Sequence, residues 1–328
     1  MKEQTRVYCE AFIENRDAVK KEFSLENGMA HLACAAVYTA ENKRVAETDL
    51  KNAKALLKKN VGLFSNFRGT AKMPIISMLA ASENPEQVLE DALKIYGMLK
   101  KKLHASEYMA YAAITVARLA RAEQYENIVL RTEKIYRGLK AEHPFLTSKE
   151  DDAMCVLMAM SDMADDVLLA ETENCYCRLK GQIASSNPTL SLACVLALYD
   201  GAAESKCERT IALYEAFREA GCKYGKEYEL PTLGVLAMAG GSIEELVADV
   251  AEIDKWLAGQ KGFGVLGSVN KKQRLMYAGF LAQKEASGAG TMQTTAVNGT
   301  ISMLIAQQMA MCAVIAASSA AAASAASN

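Results

Sequence analysis

Apolar residues recur along this chain at spacings of three and four rather than two, which is the period of a helical face and not of a strand. Between residues 85 and 103, for example, Val88, Leu89, Ala92, Leu93, Tyr96, Leu99 and Leu103 fall on one stripe. Only five prolines interrupt the chain, so the pattern predicts an all-α protein.

The stripe repeats. One aromatic, at Tyr96, Tyr136, Tyr176, Tyr214 and Trp256, returns at intervals of 40, 40, 38 and 42 residues. A second set of apolar cores begins at Ile76, Val116, Val156, Val195, Val235 and Met276, spaced 40, 40, 39, 40 and 41 apart. An earlier copy starting at Tyr38 aligns with the segment from Ala80. Two independent landmarks with one spacing predict an α-solenoid of roughly six to seven two-helix repeats, in which each unit buries its apolar face against its neighbours. The recurring ring, set among Leu and Ile at three and four residues' distance, is expected to pack rather than to form a binding stripe. The expected domain division is a helical repeat domain over 1–300 and an apolar capping helix with an Ala/Ser-rich tail over 301–328.

Turn chemistry supports this layout. The junctions "SENP", "SDMADD", "DGAAES" and "AGGS" offer helix-ending Gly and helix-starting Ser, Asp or Asn. The return turns from each aromatic helix to the next core helix are longer and more varied, and in repeat proteins such turns commonly carry function. One of them, "AEHPFLTSKEDD" (141–152), concentrates polar groups. Pro144 blocks the preceding helix, Thr147 and Glu150 have capping-box spacing, and Asp151 and Asp152 place negative charge in the first turn of the next helix. Those two aspartates point about 100° apart on a helix and do not face each other. A catalytic site would need Arg68, Glu107, His143 and Asp151 to converge from neighbouring turns.

Composition narrows the classes. With 37 basic and 39 acidic residues among 328, the chain has no global field to recruit nucleic acid or an anionic membrane. The charged N-terminus lacks a secretion signal's apolar core, and nine scattered cysteines fit reduced thiols of a cytoplasmic protein. Cys175 and Cys177 fall on different helix faces, so neither a metal site nor any cofactor is expected. "GFGVLG" (262–267) matches a dinucleotide fingerprint but follows a predicted helix instead of a strand, and reads as a turn. A basic residue follows the aromatic by four at Lys100, Lys140, Lys180 and Arg218, with Lys58 equivalent and Gln260 breaking the series. These cations offset helix dipoles, and in register they also form a ladder for an acidic or phosphate-bearing partner. After Glu285 no charge occurs, and Ile301 to Ala317 reads as a capping helix or a homo-oligomer contact, with Gln307 and Gln308 arguing against a membrane span.

The segments "SNFRGTAKMPIISMLA" from Ser65, "HPFLTSKEDDAMCVLMA" from His143 and "LIAQQMAMCAVIAASSAAAASAAS" from Leu304 resemble a bacterial family catalogued as a domain of unknown function (family 4003 of that series). The similarity spans nearly the whole chain. It departs from expectation where Ala153 and Met154 follow the acidic pair in place of an aromatic and a proline. The resemblance implies a single-domain bacterial helical protein and brings no assigned activity. The function expected from the residues is a non-enzymatic scaffold whose return-turn rim takes a protein or peptide through Arg68, Lys100, Lys140, His143, Lys180 and Arg218. The alternatives are an enzyme using Arg68, Glu107, His143 and Asp151, and a tail-anchored membrane adaptor.

Overall fold

A computed structural model describes residues 1–26, 28–184, 186–263 and 269–286. Among them are fourteen α-helices and no strand, so the protein is all-α. In chain order they are α1 (Glu3–Glu22), α2 (Gly28–Ala40), α3 (Glu47–Asn60), α4 (Lys72–Ala80), α5 (Pro85–Leu99), α6 (Glu107–Leu119) and α7 (Tyr125–Glu142). Then follow α8 (Asp152–Ala159), α9 (Asp165–Leu179), α10 (Asn187–Ala197), α11 (Ala203–Glu219), α12 (Leu230–Ala237), α13 (Ile243–Ala258) and α14 (Lys271–Ala286). None is long and apolar enough to cross a membrane among the described residues. The apolar segment 301–328, Cys312 and most of "GFGVLG" lie outside the described residues.

The even-numbered helices form the core. Every residue of α8 and of α12 is buried, because their sequences are apolar on all sides and other elements surround them. The odd-numbered helices are amphipathic: α5 buries only Leu89, Ala92, Ile95 and Leu99. At α5 and α13 the caps are those the sequence announces, whereas α11 starts from Ala202 with no side-chain cap. Asn84 accepts from the Gln87 amide with Pro85 in the first turn, and Ser242 and Glu245 cap each other at α13. Gly201 and Gly241 hold φ of +106° and +91° in the junctions, where any Cβ would be strained.

Contacts divide the chain into two compact units. In Phe12–Asp165, α2, α4, α6 and α8 pack successively against one another, as do α3, α5 and α7, and each of these last three lies on its even successor. The other unit takes Met1–Ala11 and the described part of Asp166–Gln308. There α10, α12 and α14 pack in the same succession, with α11 on α12 and on α13. Gly234 is what lets α12 approach α10, since a Cβ there would lie 2.6 Å from Leu192 Cδ1.

The repeated rings are packing elements. Tyr136 and Tyr176 are buried, while Tyr96, Tyr214 and Trp256 are half-buried. Tyr96 stands edge-on to Phe67 at 5.3 Å, and its hydroxyl accepts from Asn66 at 2.7 Å. Tyr136 stands edge-on to His104 at 6.2 Å, and the Lys226 ammonium covers Tyr214 at 5.4 Å. Thus Tyr96 and Tyr136 rest on the return turn of the preceding hairpin.

A second register lies five residues before each of the four repeated tyrosines, and Ala251 breaks it before Trp256. It carries Asp91, Arg131, Glu171 and Arg209 in alternating sign. Burial and the nearby Asp91 carboxylate raise the Tyr125 hydroxyl above the usual phenol range. Arg131 donates to the carbonyls of Ala159, Ser161 and Met163 and pairs with Asp165 at 2.7 Å. Arg209 donates to the carbonyls of Ala237, Ala239 and Gly241. Between them Glu171 pairs with Lys206, whose ammonium donates to the Tyr199 carbonyl. These cations satisfy the carbonyls left open where the short core helices end.

Candidate functional site

The return turns of Phe12–Asp165 form a continuous edge, because each is tied to the next by a polar bond. Glu26, after α1, pairs with Lys72 at the start of α4 at 2.7 Å. The amide and hydroxyl of Thr70 donate to the Glu107 carboxylate at the start of α6. The Ser106 hydroxyl donates to Asp152 at the start of α8 at 3.1 Å. In the other unit Lys226 donates to the Ile183 carbonyl and Lys271 to that of Gly221, so its turns are joined in the same manner.

The four residues of the enzyme alternative are engaged separately. Arg68 follows Phe67 in a short 3-10 turn and donates to the Val61 carbonyl at 3.3 Å. Glu107 holds the Thr70 turn, and a Cβ on Gly69 would collide with its carboxylate. His143 ends α7, its amide donating to Leu139 at 2.8 Å, and Asp151 accepts from the Ser148 amide at 2.8 Å. Among the described residues no group of three His, Cys, Asp or Glu could hold a metal ion.

The basic series is equally local. Lys140 folds back onto its own turn, donating to the carbonyls of Pro144 and Thr147 at 2.6 and 2.7 Å. Lys180 lies 5.8 Å above the Tyr176 ring, and Arg218 pairs with Glu215 on the same helix. Lys100 is exposed at the end of α5.

The turn at 143–152 corrects the expected cap by one residue. Ser148 and Asp151, not Thr147 and Glu150, form the capping box. Thr147 is buried, and its hydroxyl donates to the Leu139 carbonyl instead. Nor is Asp152 a solvated first-turn acid. It is 1% exposed, and one carboxylate oxygen has no partner among the described residues while the other takes the Ser106 hydroxyl. Burial, added to by the nearby Asp151 charge and opposed by the Ser106 bond, pushes it from 3.8 up to about 7.

The folded state therefore holds a proton on Asp152 that the unfolded chain has released, so its contribution to stability falls as pH rises from about 4 through 7 and then levels. Asp152→Asn should remove that slope. Above pH 7 it should stabilise the protein by about 2 kcal/mol, the neutralised charge outweighing an imperfectly paired amide. Urea denaturation from pH 4 to 8 checks this, and a parallel pH profile in wild type and variant would refute it.

The feature least visible in the sequence is apolar exposure at the turn tips. Leu25 is 100% exposed, Phe64 99%, Phe145 99% and Leu63 66%. All four lie in turns leading from an odd helix into a core helix of Phe12–Asp165. An exposed aliphatic residue is unremarkable alone, but two bare phenylalanines on one tied edge are not. Phe64 and Phe145 sit in "GLFSN" and "HPFLT", whose Gly, Pro, Asn and Ser neighbours mark turns, and that was the available signal.

Among known proteins, the model of a family described as "Protein of unknown function (DUF4003)" matches residues 15–310. No curated protein and no solved structure matches the chain.

Proposed function

The chain belongs to this family of unknown function, and from that premise we propose that it is a non-enzymatic scaffold that docks a protein or peptide partner on the return-turn edge of Phe12–Asp165. In this reading the hairpins stack as an α-solenoid of six to seven repeats, and the polar bonds between turns hold the edge rigid before binding. The observation that carries it is the full exposure of Phe64 and Phe145, with Leu25 and Leu63, on turns that are otherwise polar. Burying one such side chain contributes about 1.5–3 kcal/mol, and aromatic anchors of this kind dominate many interfaces. Catalysis is the less favoured reading, because Arg68, His143 and Asp151 each serve their own turn and the Glu107 carboxylate is taken up in tying the Thr70 turn to α6.

The test is a double variant, Phe64→Ser with Phe145→Ser. Neither ring is packed in the fold, so the denaturation midpoint should stay within about 0.5 kcal/mol of wild type. Affinity capture from the source cells should recover with wild type a partner in near-equal amount and lose it with the variant. Retention of that partner by the double variant would move the interface elsewhere.

A further inference from the structure

Beside the tied turns, Phe12–Asp165 contains a pocket of about 330 Å³ between the α1–α2 turn and helices α3 and α4. Its floor is apolar, made by Phe23, Leu57 and Ile76, all buried. Its wall carries four cations, Lys54, Lys58, Arg68 and Lys72, against two carboxylates, Glu22 and Glu26. Both carboxylates are already used. Glu22 pairs with Lys54 at 3.1 Å, and Glu26 with Lys72 at 2.7 Å. Lys58 and Arg68 are left facing one concavity with no carboxylate partner among the described residues.

The surroundings are fixed. Lys54 is held both by Glu22 and over the Phe23 ring, 5.0 Å from its centre. The Phe23 carbonyl is held at 2.8 Å by the buried ring of His31, which fastens the α1–α2 turn. The Arg68 guanidinium is steadied by the Val61 carbonyl through one nitrogen, which leaves the rest of its planar fork for a ligand.

We propose that this pocket binds a small organic anion, its carboxylate or phosphate oxygens taken by Arg68 and Lys58 and its apolar body laid on Phe23, Leu57 and Ile76. Two uncompensated cations at the rim of an apolar floor are complementary to a molecule with one charged end and one apolar end. The volume admits a ligand of small-metabolite size. The pocket adjoins the docking edge at Leu25, while Phe64 and Phe145 lie outside its lining, and binding of the anion does not depend on a partner.

The test is methyl NMR of the full chain, following Leu57 and Ile76, titrated with hexanoate, phenyl phosphate, inorganic phosphate and hexanol. Hexanoate or phenyl phosphate should shift both methyls saturably, and raised ionic strength should weaken the effect. Hexanol and inorganic phosphate should bind far less, each lacking one half of the recognised chemistry. Response to hexanoate alone assigns a carboxylate, and response to phenyl phosphate alone a phosphate ester. Arg68→Gln and Lys58→Gln should each reduce affinity about tenfold or more. Lys58 is exposed at the end of α3, so its variant keeps the test valid if Arg68→Gln disturbs the turn. Silent methyls with both organic anions, equal binding of hexanol or inorganic phosphate, or undiminished binding in Lys58→Gln would overturn the proposal.

Discussion

Tyr136→Ala should lower the unfolding free energy by about 3–5 kcal/mol, the range of large aromatic truncations in packed interiors. The ring is 7% exposed and lies edge-on to His104 in the preceding return turn, so its loss opens a void between two consecutive hairpins. Burial, added to by the nearby Asp152, raises the Tyr136 hydroxyl above the usual phenol range. Tyr136→Phe keeps the ring and should cost about 1 kcal/mol at most. Urea denaturation of the three proteins measures both, and a loss below about 1 kcal/mol for the alanine variant would return Tyr136 to the surface.

Arg131→Ala should cost about 3 kcal/mol. It strips partners from three carbonyls after α8 and leaves Asp165, 11% exposed, with Lys134 alone at 3.2 Å. Arg131→Lys should recover little, because one ammonium cannot reproduce a planar fork that spans a carboxylate and three carbonyls. Denaturation midpoints, with amide exchange at the end of α8, give the comparison. Full recovery by lysine would mean that charge alone, without fork geometry, holds this junction.

The all-α class and the positions of most helices were legible because period and punctuation are local properties of the chain. The rings at Tyr136 and Tyr176 are buried for the reason their neighbours announce: each sits on the same stripe as Ile or Leu. Asp152 was misread because its environment is not local. Two adjacent acids before an apolar run look like a solvated first turn, yet both are buried, and the partner of the second, Ser106, lies 46 residues earlier. The cap slipped from Thr147 to Ser148 for a related reason. Thr147 finds a buried acceptor on Leu139, and the chain then enters α8 through the short 3-10 turn Lys149–Asp151.

The site was harder to read than the fold. Arg68 was singled out as a candidate, and the structure gives it a pocket whose other wall, Glu22 to Glu26, comes from a turn about forty residues away in sequence. The exposed Phe64 and Phe145 went unnoticed because an apolar residue is assumed buried unless something displaces it. The alternating charges five residues before each repeated tyrosine are present in the sequence but carry meaning only once Arg131 and Arg209 are seen to cap the core helices α8 and α12.

The bonds that tie one return turn to the next span 37 to 50 residues, about one hairpin each. None of these ties waits for a distant part of the polypeptide. A chain leaving the ribosome can therefore close each tie as soon as the following hairpin has emerged, and the edge assembles in the order of synthesis, with short loops to close at every step and no long search at the end.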